Sequence, residues 1–356
     1  MKLPSIRPSA LALALSLVGL APSAQALNFA FTDVSTNGGM TSAQSGAFQS
    51  AANYWSGKFT DNVTVYINIA FDNLGANILG STGSNYGVAD YASVRSSLTA
   101  DAKSSLDFSA VSHLQSGTSL SFQSTQMNLS SGLDNDNSNN NKLLAITTAN
   151  AKALGYATGT SATNADANIT FATGYASSFS YTGTAVAGKT DFVTVAAHEI
   201  GHALGFVSGV DDVDYCAGTA NACGLTSSGL ENYAVYSTLD LFRYSAAGVL
   251  DLRVGGTPYF SVDGGATSIT PFSTGSSAHG GNGWQASHFG TTPVHLMRPF
   301  IGTGEAYGAT ANDIAAFDAI GWDVAVAVPE PQTYALLLLG LGFVGAASRR
   351  RARTAT

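Results

Sequence analysis

Apolar and polar residues follow two different periods along this chain. From Ala43 to Lys58, AQSGAFQSAANYWSGK repeats Phe48, Ala51, Ala52 and Trp55 at helical spacing, which predicts a helix with one apolar face. From Val63 to Phe71, VTVYINIAF alternates and is rich in β-branched residues, which predicts a strand. VADYASVRSSLTADAKSSLDFSAV predicts one or two helices, and GLDNDNSNNNK a polar loop. KLLAITTANAKALG predicts a short strand followed by a short helix, and ANITFATGYASSFSYTG predicts strands around a glycine turn. From Asp191 to Val207, DFVTVAAHEIGHALGFV predicts a helix capped by Asp191, with Gly205 placed to end it. A Gly-rich, β-like region follows to about Gly283, and NDIAAFDAIGW predicts a closing helix capped near Asn312.

This order of elements predicts an α+β protein, and its 356 residues suffice for about two subdomains. Charged residues make up only 11 %, while Gly occurs 39 times, which favours short strands, many turns and a polar, uncharged surface. The formal charge of −8 understates the acidity of the body. Six of the 15 basic residues and one of the 23 acidic ones fall in the two end segments, leaving the body near −13. Nothing here neutralises phosphates, so nucleic acid is not an expected partner.

Residues 1–26 read as a secretory signal peptide, with Lys2 and Arg7, the apolar run ALALALSLVGLA, and a small-residue cleavage site at Ala24-Gln25-Ala26. At the other end, Pro329-Glu330-Pro331 precedes an apolar run from Tyr334 to Ala347, and Arg349, Arg350, Arg351 and Arg353 follow. The run is shorter than the ~20 residues of a permanent span, and the arginines would stay cytoplasmic. This tail over 328–356 resembles the PEP-CTERM sorting signal. That resemblance implies processing by an exosortase, transient membrane association through the tail, and delivery to the cell surface or exopolysaccharide matrix of a Gram-negative bacterium. The only two cysteines, Cys216 and Cys223, predict a local disulfide in an oxidising compartment.

His198-Glu199-Ile200-Gly201-His202 is an H-E-x-x-H motif inside the helix predicted over 191–207. Histidines four apart lie on one helical face, and their imidazoles can meet one Zn²⁺ at about 2.0–2.1 Å. Glu199, beside the first ligand, can take a proton from zinc-activated water without itself binding the metal. A catalytic zinc has three protein ligands, so one is still to be found. The residues able to supply it are His288, His279 and His295, and also Glu231, Asp211 or Asp212. His113, far upstream, reads as a surface histidine.

The helix continues Ala203-Leu204-Gly205-Phe206-Val207-Ser208, similar to the metzincin motif but with Ser208 where that motif places its third histidine. Ser287-His288-Phe289, then Leu296-Met297-Arg298-Pro299, then the stretch from Asn312 to Trp322 resemble the leishmanolysin-like branch of the metzincins. In that branch an insertion separates the zinc helix from the third histidine. The PEP-CTERM-bearing metalloproteases of this type resemble the chain still more. The resemblance covers roughly 190–325 and implies His198, His202 and His288 as ligands, Glu199 as general base, and Met297 as an apolar floor under the metal. It also implies a metzincin-like fold: a twisted mixed sheet with backing helices over 27–207, then an irregular β-rich subdomain over 208–327 ending in a helix. An edge strand of that sheet would hold an extended substrate, with the strands near Thr170 to Tyr181 as candidates. Pro299 stands where an astacin-like enzyme would have a tyrosine at the metal, and no upstream cysteine exists to act as a latency switch.

The expected function is a secreted zinc endopeptidase acting on protein or peptide substrates. The rivals are a non-catalytic, zinc-stabilised surface or biofilm-matrix protein and a zinc amidase acting on peptidoglycan. Weaker signals are the alternating oxygens of Leu133 to Ser138, a candidate structural Ca²⁺ loop or a solvated Asn-rich turn. Asp211, Asp212 and Asp214 read as a solvated loop tied down by the disulfide. Asp240 and Arg243 read as a structural ion pair.

Overall fold

The computed structural model describes residues 27–36, 38–217, 223 and 229–325; the leader and the C-terminal tail lie outside them. The chain opens with β1 (Asn28–Asp33), α1 (Ser42–Ser56), β2 (Thr64–Asp72), β3 (Gly80–Ser84) and β4 (Tyr86–Asp90). It continues through α2 (Tyr91–Asp101), α3 (Ser105–Ser112), β5 (Phe122–Thr125), β6 (Ser131–Asp134), α4 (Asn139–Lys142), β7 (Leu143–Thr147) and α5 (Thr148–Ala153). Next come β8 (Ala167–Ala172), β9 (Phe179–Ser180), β10 (Thr190–Asp191), α6 (Phe192–Ala203) and α7 (Val210–Cys216). The last part holds β11 (Arg243–Ala246), β12 (Val249–Leu252), β13 (Tyr259–Phe260), β14 (Thr270–Pro271) and α8 (Ala311–Ala319). The class is mixed α+β, with several sheets and eight helices among the described residues.

The main sheet has the order β1-β2-β8-β3. β1, β2 and β8 run parallel, and β3 runs antiparallel along the outer side of β8. Alternation in β2 buries Val65, Ile67, Ile69 and Phe71 on one face, and α1 and α6 pack behind that face. A second sheet, β14-β13-β11-β12-β5-β6, joins strands from both parts of the chain, because β12 pairs with β5 in parallel.

Several expectations change. The edge strands are β1 and β3, not the Thr170–Tyr181 region: β8 is interior, and β9 leaves the sheet to pair with β10. Segment 80–84, GSTGS, has no apolar alternation, so only its pairing with β8 reveals it. The polar run GLDNDNSNNNK is not simply a loop but ends β6 and forms α4. Asn140 and Asn141 are buried, and their side-chain amides donate to the two oxygens of Asp134. Polar residues stay ordered here because they satisfy one another. The closing helix is capped by Thr310 rather than Asn312, through a capping box with Asp313. Asp211, Asp212 and Asp214 lie on α7, not in a loop. The Cys216–Cys223 disulfide is formed directly after it.

Candidate metal centre

Helix α6 is the floor of the candidate site, and apolar contacts grip both its ends. Phe192 packs against Phe71, Phe171, Phe179 and Tyr181 at its start. The indole N–H of Trp55 donates to Ala197 O at mid-helix and that of Trp322 to Leu204 O at its end, both at 2.8 Å. Trp55, Phe59, Phe317 and Trp322 form one aromatic group beneath it. Asp191 caps the helix, its Oδ2 accepting from Thr194 N at 2.8 Å, and the helix ends at Ala203, four residues before Val207. Gly205 then turns in the left-handed region, which brings the Phe206 carbonyl back to His202 Nδ1 at 2.7 Å.

The structure brings His198, His202 and His288 together. Their Nε2 atoms are 3.0 Å (His198 to His202), 3.2 Å (His198 to His288) and 3.3 Å (His202 to His288) apart. Each Nδ1 faces a carbonyl oxygen: Leu296 O for His198, Phe206 O for His202 and Gln285 O for His288. A carbonyl only accepts, so Nδ1 carries the proton and each Nε2 turns a lone pair inward. Burial holds all three imidazoles far below the ordinary histidine range, at about 3, with each also disfavoured by a neighbouring imidazole. Three converging lone pairs with no donor among them repel one another and fit a cation. Tetrahedral zinc with ligand nitrogens at about 2.0–2.1 Å requires nitrogen separations of about 3.3–3.4 Å, close to those observed.

Glu199 is buried beside this triad. Thr82 Oγ1, on the edge strand β3, stands 2.7 Å from Glu199 Oε2 and 2.9 Å from its carbonyl oxygen. Burial raises the Glu199 carboxyl to about 7, and the Thr82 contact partly offsets that rise. A Cβ on Gly80 would lie 2.8 Å from Glu199 Oε1, so glycine there makes room for the carboxylate. Sequence reasoning missed both Thr82 and Gly80. Met297 is fully buried against α6: a Cβ on Gly201 would meet its Sδ at 2.5 Å. Asp313 accepts from the backbone N–H groups of Leu296 and Met297, both at 3.0 Å, which fixes the turn carrying the carbonyl partner of His198.

The other candidate ligands lie elsewhere. His279 Nδ1 pairs with Asp214 at 2.7 Å, and His295 is buried between Thr270 and Thr310. His113 is exposed and contacts Ser109 O. Glu231 clusters with Asp134 and Asp136, beside a cavity of about 460 Å³ that none of the three histidines lines. There Glu231 accepts from Ser138 Oγ and Asp134 accepts from the Asn141 amide, while Leu133, Asn135, Asp136 and Asn137 are exposed, so the stretch is a largely solvated turn tied down at Asp134 and Ser138. Asp211 turns both oxygens onto the 286–287 backbone, and Asp212 is exposed. Asp240 and Arg243 make no direct ion pair. Asp240 accepts from Ser208, Gly209 and Ser237, while Arg243 donates to the carbonyls of Ala286 and Ser273. Asp240 is thus served by backbone N–H and serine hydroxyl donors, and Arg243 by two carbonyls, with its Nε left without a hydrogen-bond partner.

Among known families, the PEP-CTERM protein-sorting motif matches residues 327–351. No curated protein and no solved structure matches the chain. The motif points to export and sorting to the surface or exterior of a Gram-negative cell, with recognition by an exosortase at the C-terminus.

Proposed function

We propose that this protein is an exported zinc endopeptidase of metzincin-like architecture, with His198, His202 and His288 as metal ligands and Glu199 as general base. The observation that carries this reading is the convergence of three proton-free Nε2 atoms at zinc spacing, next to a buried carboxyl. His198, His202 and His288 would hold the zinc ion, which would supply Lewis acidity for a carbonyl and lower the pKa of bound water toward neutral. The residues of the chain supply the rest. Glu199 takes the proton of the attacking water and passes it to the leaving amine. Thr82 and Gly80 hold that carboxylate in one place. The open side of β3 offers backbone groups to an extended substrate, as an unpaired sheet edge does. A site with three nitrogens and a poised carboxyl suits hydrolysis better than a purely structural metal site, which takes four protein ligands.

The test is casein cleavage by the exported protein, with and without a zinc chelator, beside Glu199→Ala. The expected result is chelator-sensitive cleavage that the variant loses by about 10²–10⁴-fold. Equal cleavage by both proteins would sink the assignment. Zinc uptake without hydrolysis would favour the matrix-protein reading, and hydrolysis of peptidoglycan alone the amidase reading.

A further inference from the structure

His288 stands 86 positions after His202, so no helix fixes its spacing to the other two imidazoles. A partly buried set of hydrogen bonds holds its loop instead. The N–H of Ala286 donates to Asp211 Oδ1 at 2.6 Å, and that of Ser287 to Asp211 Oδ2 at 2.9 Å. Ser287 Oγ also donates to Asp211 Oδ2, and it accepts from the N–H of Ser208 at 2.8 Å. Buried Arg243 also donates to Ala286 O, and Ser273 N–H donates to His288 O at 2.9 Å. Asp211 lies on α7, only nine residues beyond the second imidazole in the chain. The helix-bearing part of the protein thus reaches across to the residue beside the third imidazole through one carboxylate.

We propose that Asp211, acting through Ser287, is a positioning residue for His288 and sets how tightly the site binds its divalent ion. The claim rests on the metal reading above. Charge-assisted bonds from a carboxylate to two consecutive backbone N–H groups are short, strong and directional. They fix the peptide from which His288 projects, so the third nitrogen is in place before the ion arrives. Without them the loop must be ordered at the moment of binding, and the cost appears as lost affinity.

The experiment measures zinc affinity of the full chain by competition with a chromogenic chelator. The proteins are the parent, Asp211→Asn, Ser287→Ala, His288→Ala and the double variant Asp211→Asn/His288→Ala. Asp211→Asn should weaken zinc binding by about 10- to 100-fold, and Ser287→Ala by less. The double variant should bind no more weakly than His288→Ala alone, because Asp211 acts only through that imidazole. The visible spectrum of the cobalt-substituted protein should change in Asp211→Asn. If Asp211→Asn does not fold, Ser287→Ala decides, provided its metal-free melting temperature matches that of the parent. Parent-like affinity in both single variants, or additive losses in the double variant, overturns the proposal. A parent that takes up no zinc overturns the metal reading beneath it, a separate and recognisable outcome.

Discussion

Two parts of the candidate centre are held by different physics. His198 and His202 ride on a helix wedged between aromatic groups, and the helical repeat sets their spacing. His288 sits on an irregular segment whose N–H groups donate to Asp211 and which accepts from Ser208, Ser273 and Arg243. The first arrangement draws on apolar burial, which is strong and non-directional. The second draws on a few buried polar contacts, weaker in sum but exact in direction. Damage to the first should show in stability, and damage to the second in ligand geometry.

The largest expected effect tests the apolar side. Trp322 is fully buried against Phe59 and also bonds to Leu204 O. Trp322→Ala should lower the unfolding free energy by about 3–5 kcal/mol, with zinc affinity of the remaining folded protein little changed. A loss below about 1 kcal/mol in urea unfolding would show that packing beneath α6 is not what steadies it. The next effect lies where the edge strand meets the helix. Thr82→Val and Gly80→Ala should each lower kcat by about 10-fold, the equivalent of ~1.4 kcal/mol, with KM and zinc content unchanged. Thr82→Ser should recover most of the loss. A KM change at constant kcat would place these residues in substrate binding instead.

The smallest effect is far from the centre, where Asp61 is buried near Asp323 and Asp101. Burial first, then the Asp323 charge, raises its carboxyl to about 7. Its folded form therefore holds a proton more tightly than the unfolded chain does. This contribution favours the folded state below about pH 4 and is lost as pH rises toward 7. Asp61→Asn keeps an oxygen to accept from Asp323 N–H, so it should flatten the fall in melting temperature between about pH 4 and pH 7, the span set by this shift. An unchanged slope would assign that fall to Asp101 or Asp318, which are also raised.

How much was legible follows from the same division. Helix α6, with its Asp191 cap, and strand β2 were readable because each has a strong hydrophobic period. The meeting of His288 with the other two was suggested only by family resemblance, since nothing local to residues 285–288 marks it. Strand β3 escaped because its glycines and serines carry no apolar alternation, and with it went Thr82 and Gly80, whose roles depend on a neighbour more than a hundred residues away. The Asp240–Arg243 pairing failed for a related reason: spacing of three predicts proximity, but backbone groups from other segments reached these charges first.

The body is closed at its rear by a short clasp. Thr60 N–H donates to Asp323 O, Ala325 N–H donates to Lys58 O, and Phe59 bridges Val324 between them. All three contacts fall ahead of the sorting motif at 327–351. A cut anywhere within that motif would leave all three contacts intact.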